Sequence, residues 1–333
     1  MSKDKSRKRR RWLKSAQRRL VYCLTIGLRL FIFPLPINTG LRLGATLGRL
    51  VFYLARSERT KVEKNLELAY GNQLSKKARR DLARKILENA GRGVAELLSL
   101  PWWTEKDFRQ RIRFVGKENL DEAFSRGKGV LAFSGHFGNW ELLGIYLRRI
   151  EGYSFGVVAR ELSNEGLDRL LVSTRQRHGI PVIPRGKTGK ALFQHLRKNE
   201  GLGMLLDQDT KGESTYVNYF GRPARTQTGP AKLARMTGAP MVPMFIIRNP
   251  DLITHTIHVE PSLPWPEADD TDKVIRELTQ AYTSVIERYV RLAPDQWMWM
   301  HRRWRNQPKQ AGNPSGPSPD GAPSAGAGSA GGL

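Results

Sequence analysis

The sequence predicts an α/β fold with a mostly parallel central sheet flanked by helices, preceded by N-terminal membrane-associated helices. Three observations lead to this prediction. From about residue 113 to 260, short apolar runs alternate with stretches of helical spacing, a pattern typical of a parallel sheet covered on both faces. Residues 58–100 follow helical spacing. Residues 1–19 are dense in Lys and Arg and precede an apolar segment, which indicates contact with anionic lipid.

The N-terminal region is predicted to comprise a basic cytoplasmic tail at 1–19 and a membrane-associated helical segment at 20–57. The apolar run at 20–37 is interrupted by Arg29 and is barely long enough to cross a bilayer. Crossing and re-entrant insertion are therefore both open. The alternative is a buried helix behind a nucleic-acid-binding tail.

Three glycines at four-residue spacing mark the next predicted helix. Gly40, Gly44 and Gly48 allow two helices to approach closely, and we expect the partner to be the first apolar segment. The simpler alternative is an amphipathic helix that lies in the membrane interface.

An α/β domain is predicted at 58–306, with a helical lead-in at 58–112. The apolar runs predicted as strands lie at 129–134, 155–159, 180–183, 202–206, 241–247 and 254–259. The stretches predicted as helices lie at about 117–126, 139–150, 163–177, 187–198, 228–237 and 270–292. Residues 307–333 form a tail of mainly Gly, Ala, Ser and Pro, which cannot bury a core and is predicted to be disordered.

The composition restricts the class of partner. The 333 residues include 56 Lys and Arg against 31 Asp and Glu, a formal net charge of +25. Such an excess indicates an anionic partner: nucleic acid, membrane headgroups, or an acidic protein or substrate. Cys23 is the single cysteine, which excludes an intrachain disulfide and a thiolate metal cluster and favours a cytosolic face. The six histidines show no metal-ligand spacing, so no metal or cofactor is expected.

The most informative chemical signal is a histidine and a carboxylate five positions apart, directly after the apolar run at 129–134. His136 is predicted in the turn at the carboxyl end of that strand, with Asn139 as the N-cap of the next helix and Glu141 in its first turn. From there Glu141 could accept a hydrogen bond from the imidazole and leave the other ring nitrogen as a general base. The alternative is a turn histidine beside a carboxylate that complements the helix dipole.

Two further groups of charged residues lie near predicted strand and helix ends. Asp207 and Asp209 follow another apolar run, where they could orient a substrate or the base, or form an acidic turn. Arg175, on the helix that starts near Ser163, could bind a phosphate or a developing oxyanion. Most arginines on helices are solvated, so Arg175 is a weak signal by itself.

Two clusters near the C-terminus suit anionic or aromatic partners. Thr228 and Gly229 are predicted to begin a helix whose N-terminus attracts phosphate, and Arg225 and Lys232 add positive charge there. The tryptophans and arginines of 296–305 suit a membrane interface or a stacked nucleic acid. Packing of these aromatic rings in the core is the alternative.

Taken in order, these clusters resemble the lipid A biosynthesis (lauroyl/myristoyl) acyltransferase family, which is part of the lysophospholipid acyltransferase superfamily. Five blocks carry the likeness: the family's His-x4-Asp/Glu motif at His136 and Glu141, its downstream arginine at Arg175, its Asp-x-Asp strand end at Asp207 and Asp209, its Phe-Gly to Thr-Gly block at 220–229, and its Met-Trp-x-His-Arg-Arg ending at 298–303. The likeness covers about residues 20–306.

The resemblance implies transfer of a fatty acyl chain from a thioester, on acyl carrier protein or on coenzyme A, to a hydroxyl of an anionic glycolipid such as a lipid A precursor. It implies an enzyme at the cytoplasmic face of the inner membrane. His136 would remove the hydroxyl proton, and Glu141 would orient His136. Arg175, or backbone N–H groups near Gly138, would stabilise the oxyanion. Asp207 would position Arg175 or the acceptor.

The residues expected to bind substrate are Asn139, Asp209, Arg225, Thr228, Gly229 and Lys232. Two rival functions differ in kind from this one. A nucleic-acid-binding protein would bind tightly and lose affinity steeply with salt. A non-catalytic membrane adaptor with the same fold would function without His136.

Overall fold

The computed structural model of the chain describes residues 2–184, 189–210 and 212–308. The described helices are α1 (Ser2–Ile32), α2 (Ile37–Leu54), α3 (Arg56–Tyr70), α4 (Lys76–Ser99), α5 (Glu105–Arg111), α6 (Lys117–Ser125), α7 (Trp140–Arg149), α8 (Glu165–Arg177), α9 (Gly189–Arg197), α10 (Gly229–Thr237) and α11 (Thr271–Leu292). The described strands are β1 (Ile112–Val115), β2 (Val130–Ser134), β3 (Phe155–Ala159), β4 (Val182–Pro184), β5 (Gly201–Leu205), β6 (Ser214–Tyr219), β7 (Arg222–Gln227), β8 (Met241–Arg248) and β9 (His255–Val259).

Seven of these strands form one sheet in the order β1-β9-β8-β2-β5-β3-β4. The pairs from β8 to β4 are all parallel, which confirms the predicted mostly parallel sheet with helices around it. Strand β9 runs antiparallel to β8 because the two are joined by a tight loop, closed by a hydrogen bond from Asn249 N to Thr254 O of 2.8 Å.

Three strands were absent from the prediction. The edge strand β1 has only four residues and carries the charged Arg113, so it lacks an apolar run. Strands β6 and β7 form a separate antiparallel hairpin whose sequence is polar on one face. Hydrophobic runs alone therefore locate the buried strands and miss the exposed ones.

The core lies on both faces of the sheet, and β2 contributes to each. All five residues of β2 are buried. Leu131 and Phe133 belong to one apolar cluster, whereas Val130 and Ala132 belong to the other. Alternate side chains of a strand point to opposite faces, so this central strand is covered by helices on both sides.

The tryptophan- and arginine-rich segment is part of the core. Trp297, Trp299 and Trp304 are buried within the first of these clusters. Arg303 is also buried; its guanidinium donates to the Arg225 carbonyl and to the Thr226 hydroxyl. The alternative of core packing is thus confirmed for these rings, and they do not form an exposed aromatic surface.

Helix α1 joins the basic tail and the apolar segment in one element. Among the described helices, none has both the length and the apolar composition needed to cross a bilayer. Large apolar side chains of α1, including Leu20, Leu24 and Phe31, are exposed. Leu50 and Leu54 of α2 are exposed as well.

The glycine stripe of α2 packs mainly against α4 rather than against α1. A Cβ placed on Gly48 would lie 2.0 Å from the Leu87 carbonyl oxygen, and one on Gly91 of α4 would lie 2.0 Å from the Gly44 carbonyl oxygen. Only glycine permits this approach, which confirms close helix packing and shows that the expected partner was wrong. Gly40 alone of the three faces α1, with its Cβ position 3.4 Å from Ile32.

The predicted disorder of 307–333 concerns residues that, from 309 onward, lie outside those the structure describes.

Candidate active site

The turn that carries His136 lies where β2 ends. Gly138 has a φ of +55°, and a Cβ on it would lie 2.3 Å from the Ile246 carbonyl oxygen of β8, so the tight turn requires glycine. The C-terminal segment fixes the other side of the turn: Met298 N donates to the His136 carbonyl at 3.0 Å, and Gly138 N donates to the Gln296 carbonyl at 2.9 Å. These contacts hold His136 outside the helix, as predicted.

The carboxylate that contacts His136 is Asp207. Its Oδ1 lies 2.8 Å from His136 Nδ1, and its Oδ2 accepts from the backbone N–H of His136 at 2.7 Å. The sheet register explains this pairing, because Ser134 of β2 lies beside Leu205 of β5 and the two site residues each follow two positions later. The prediction that Glu141 accepts from the imidazole was therefore wrong. Of the two roles predicted for Asp207, contact with Arg175 is not observed, because Arg175 binds Glu141, and positioning of the acceptor stays a prediction.

Asp207 is buried and is held in place by an indole. Trp297 Nε1 donates to Asp207 Oδ2 at 2.7 Å. Burial opposes ionisation of this carboxyl group, but the charge of His136 and hydrogen bonds from His136 and Trp297 outweigh it and lower the pKa of Asp207 to about 2. Asp207 is therefore an anion at neutral pH.

The imidazole of His136 has a raised pKa. Burial lowers its pKa, whereas the charge and hydrogen bond of Asp207 and the charge of Glu141 raise it, and the net result is a pKa above the usual 6.5. With Nδ1 on Asp207, the Nε2 atom is the one available for proton transfer. Trp140 covers one side of the ring, edge to face at 5.0 Å, and Gln208 Nε2 lies 3.3 Å from both ring nitrogens.

Glu141 and Arg175 form a buried ion pair that links α7 to α8. Arg175 Nε donates to Oε2 at 2.9 Å and its NH2 donates to Oε1 at 2.6 Å. Both side chains are only about one tenth exposed, at 10% and 11%. Two of the five N–H groups of Arg175 are thus engaged by Glu141, and Gly138 N is engaged by Gln296. The role of Arg175, or of backbone N–H groups near Gly138, as an oxyanion donor stays a prediction.

Sequence reasoning missed a buried cluster behind the turn. Glu96 of α4 accepts from both terminal nitrogens of Arg248 on β8, at 2.6 and 2.7 Å. Asn139 donates to the same carboxylate at 3.0 Å, so the predicted N-cap residue occupies the N-cap position of α7 but directs its amide to Glu96. His255 of β9 completes the cluster, 3.5 Å from Glu96. No local signal marks residues that are this far apart in sequence.

The second predicted cluster is held by its own charge pairs. Asp209 binds Arg225 at 2.8 Å and Arg305 at 3.1 Å, and Lys232 binds Glu213 at 2.6 Å. Thr228 and Gly229 begin α10, which confirms the predicted helix start, although Thr228 makes no side-chain cap. Within the described residues, these ion pairs join the members of the cluster to one another and to Glu213 and Arg305, and none of them includes His136 or Asp207.

An apolar cavity of about 310 Å³ opens at His136. One wall is a stripe of α4 that includes Ile86, Ala90 and Leu97. The opposite wall comes from the turn that carries His136 and from the C-terminal segment, including Trp140, Trp297, Met298 and Met300. The volume lies within the roughly 300–1,000 Å³ of small-molecule sites, and the lining suits a hydrocarbon chain.

The fold and site define an α/β protein with a histidine–aspartate pair at the carboxyl edge of a parallel sheet, opening into an apolar cavity. The family model for bacterial lipid A biosynthesis acyltransferases matches residues 7–306, and the chain belongs to that family. It is accordingly an acyltransferase of the late lipid A type.

Individual relatives agree with this assignment. The chain is 30% identical over 289 residues to the lipid A biosynthesis lauroyltransferase of Escherichia coli (strain K12), which covers 86% of this chain and 92% of the relative. It is 25% identical over 278 residues to the lipid A biosynthesis palmitoleoyltransferase of the same strain, with 82% and 87% covered. A phosphatidylinositol mannoside acyltransferase of Mycobacterium tuberculosis (strain CDC 1551 / Oshkosh) is 28% identical over 232 residues, with 66% and 68% covered.

Proposed function

We propose that this protein moves a fatty acyl chain from a thioester donor to a hydroxyl of a lipid A precursor, with His136 as the general base. The observation that carries the proposal is the His136–Asp207 pair, joined at 2.8 Å, at the wall of an apolar cavity. A hydroxyl nucleophile needs a base near neutral pH, and an acyl chain needs an apolar site.

In the proposed reaction, His136 Nε2 takes the proton of the acceptor hydroxyl as its oxygen attacks the thioester carbonyl. The new C–O bond forms, the C–S bond breaks, and the imidazolium returns the proton to the leaving thiolate. Asp207 keeps Nδ1 protonated and stabilises the imidazolium, as the aspartate does in serine hydrolase triads. Gln208 lies against the ring at 3.3 Å, where its amide N–H can donate to the oxyanion.

The acyl chain would occupy the cavity along α4, and the donor would be acyl carrier protein, with coenzyme A as the alternative. An acidic carrier protein suits the net charge of +25. The lipid A acceptor is favoured over a mannoside glycolipid because the lauroyltransferase match covers more of the chain, 86% against 66%. The N-terminus of α10, with Arg225 and Lys232, is the proposed binding region for acceptor phosphates.

We further propose that α1 and α2 attach the enzyme to the cytoplasmic face of the inner membrane. Exposed apolar side chains such as Leu24 and Phe31 would enter the lipid, and the basic residues of 1–19 would bind anionic headgroups. A nucleic-acid partner is disfavoured because the rings of 296–305 that suggested it are buried in the core.

The test is mass spectrometry of host glycolipids with wild-type protein, His136→Ala, and a matched His195→Ala control. His195 also pairs with a carboxylate, Glu200, at 2.8 Å, but it lies on α9 and does not line the cavity. We expect one acyl chain to disappear with His136→Ala and to persist with His195→Ala. Transfer by a folded His136→Ala protein at the wild-type rate would instead favour the adaptor function.

A further inference from the structure

Helix α4 contains two glycines in its interior, Gly91 and Gly93, and glycine is unfavourable there relative to alanine. Gly91 has a packing explanation, because a Cβ on it would lie 2.0 Å from the Gly44 carbonyl oxygen of α2. The same explanation fails for Gly93. A Cβ on Gly93 would meet nothing within 4 Å, and its backbone is ordinary α-helix without a positive φ.

Gly93 lies on the α4 stripe that forms one wall of the cavity at His136. Ile86, Ala90, Gly93 and Leu97 are spaced by four, three and four positions, so they share one helix face. Gly93 lies in the middle of this face. The space that its absent side chain leaves is therefore space inside the cavity.

We propose that Gly93 is a specificity-determining position, where the acyl chain passes close to α4 and the size of the residue sets the longest chain accepted. The inference rests on the proposed function. The occupant is a straight hydrocarbon chain because Ala90, Val94 and Leu97 make this wall mainly apolar, with Asn89 as its polar member, and because the cavity opens onto the base that would act on the thioester. A side chain at this position would occupy volume that distal methylenes otherwise fill.

The experiment measures binding of saturated fatty acids from octanoate to palmitate to the full chain by tryptophan fluorescence, since Trp140 and Trp297 line the cavity. The variants are Gly93→Ala and Gly93→Leu. Gly27→Leu is the matched control, because Gly27 lies within α1 and its Cβ position also meets nothing within 4 Å. We expect Gly93→Leu to weaken palmitate binding by about fourfold for each methylene displaced, while octanoate binding changes little.

Gly93→Ala should show a smaller shift in the same direction and a higher melting temperature, because alanine is the better helix former. Gly27→Leu should leave the preference for chain length unchanged. Equal weakening of all fatty acids by Gly93→Leu, no change in any of them, or failure of Gly93→Leu to fold would each overturn the inference. Failure to fold counts because it would mean that the cavity has no free space for a side chain at position 93.

The same variants are then assayed for acyl transfer with thioesters of the same chain lengths. A shift of the transfer preference toward short chains supports both proposals. If wild-type protein transfers no acyl chain but the binding series shows the expected shift, the proposed function fails while the role of Gly93 in chain binding stands.

Discussion

Two histidine–carboxylate pairs in the described part of the chain differ in their surroundings: His136 with Asp207, and His255 with Glu96. His136 contacts Asp207 at 2.8 Å, whereas His255 lies 3.5 Å from Glu96. Glu96 is neutralised by Arg248, which donates to both of its oxygens, while Asp207 accepts from the uncharged donors of Trp297 and the His136 backbone. Burial lowers the pKa of His255 to about 4, but the pKa of His136 is raised despite burial.

The difference shows that burial beside a carboxylate does not make a histidine a base. The pKa of the imidazole depends on whether a cation such as arginine neutralises the carboxylate beside it. Access also differs, since the side chain of His136 is 20% exposed and that of His255 is fully buried. One pair is therefore suited to proton transfer, and the other holds α4 against β8 and β9.

The largest expected effect comes from removing the charge of Asp207. Asp207→Asn should lower kcat by roughly 10³–10⁴-fold, because the imidazole loses both its orientation and the anion that stabilises its cation. The activity that is left should extend to lower pH. The pKa of His136 is raised by Asp207, so its loss lets the base become neutral at a lower pH. Transfer rates measured across pH check both statements.

Glu200→Gln is the matched control, since it removes the charge beside His195 without touching the cavity. It should leave kcat and the pH profile at wild-type values. If Asp207→Asn retained nearly full activity while Glu141→Gln lost it, the orienting role would return to Glu141.

The second-largest effect is expected in the free energy of unfolding when the ion pair between Glu96 and Arg248 is broken. Glu96→Gln should lower the free energy of unfolding by about 3–5 kcal/mol, because Arg248 becomes a buried charge without its partner. Glu122→Gln is the control: Glu122 binds Arg126 on an exposed face of α6, where an ion pair contributes at most about 1 kcal/mol. Urea denaturation of both variants measures the difference. Equal midpoints for the two variants would contradict the structural role of Glu96.

These two pairs also show what the sequence could and could not predict. The turn at His136 and the ends of β2 and β5 follow from local apolar runs, so His136 and Asp207 were both found as candidates. Their contact depends on β2 and β5 being neighbours in register, and strand order is not encoded locally. The sequence therefore led us to pair His136 with Glu141, the carboxylate nearer to it along the chain, and not with Asp207.

The cluster around Glu96 could not be predicted for the same reason, because its contacts join elements that are distant in sequence. Arg248 follows it by 152 positions, and a single Glu on a helix is most often a solvated residue. The cavity wall on α4 was predicted only as a helix, because helical spacing does not reveal whether an apolar face meets protein or an empty space.

A third prediction concerns the response of stability to acid. The pKa of His255 is about 4 in the folded chain, below its ordinary 6.5, so on acidification the unfolded chain takes up this proton first. The contribution of His255 to stability should therefore be complete above about pH 6.5, and about 3 kcal/mol of it should be lost toward pH 4. Urea denaturation at a series of pH values measures the slope. His255→Asn should remove this share of the slope. The shares of His178, whose pKa is also lowered to about 4, and of His258 and His301, whose pKa values burial also lowers, should remain. An unchanged slope would mean that His255 is protonated in the folded state.

The smallest expected effect is the coupling between Glu141 and Arg175. This ion pair shares one property with Glu96 and another with Asp207. Like Glu96, Glu141 is bound by an arginine through both oxygens, but its charge also helps to raise the pKa of His136. Each single variant, Glu141→Gln and Arg175→Gln, should lose stability, and the double variant should lose less than the sum. A coupling of about 1–3 kcal/mol is expected from a double-mutant cycle followed by urea denaturation.

The pH profile separates the two roles of Glu141. Glu141→Gln should shift the acid limb of kcat to lower pH, by less than Asp207→Asn does, because Glu141 acts on the imidazole through its charge and not through a hydrogen bond to it. Arg175→Gln leaves that negative charge in place without its arginine, so its acid limb should move the other way, to higher pH. Movement of both limbs in the same direction would mean that the pair affects His136 through the position of α7 alone.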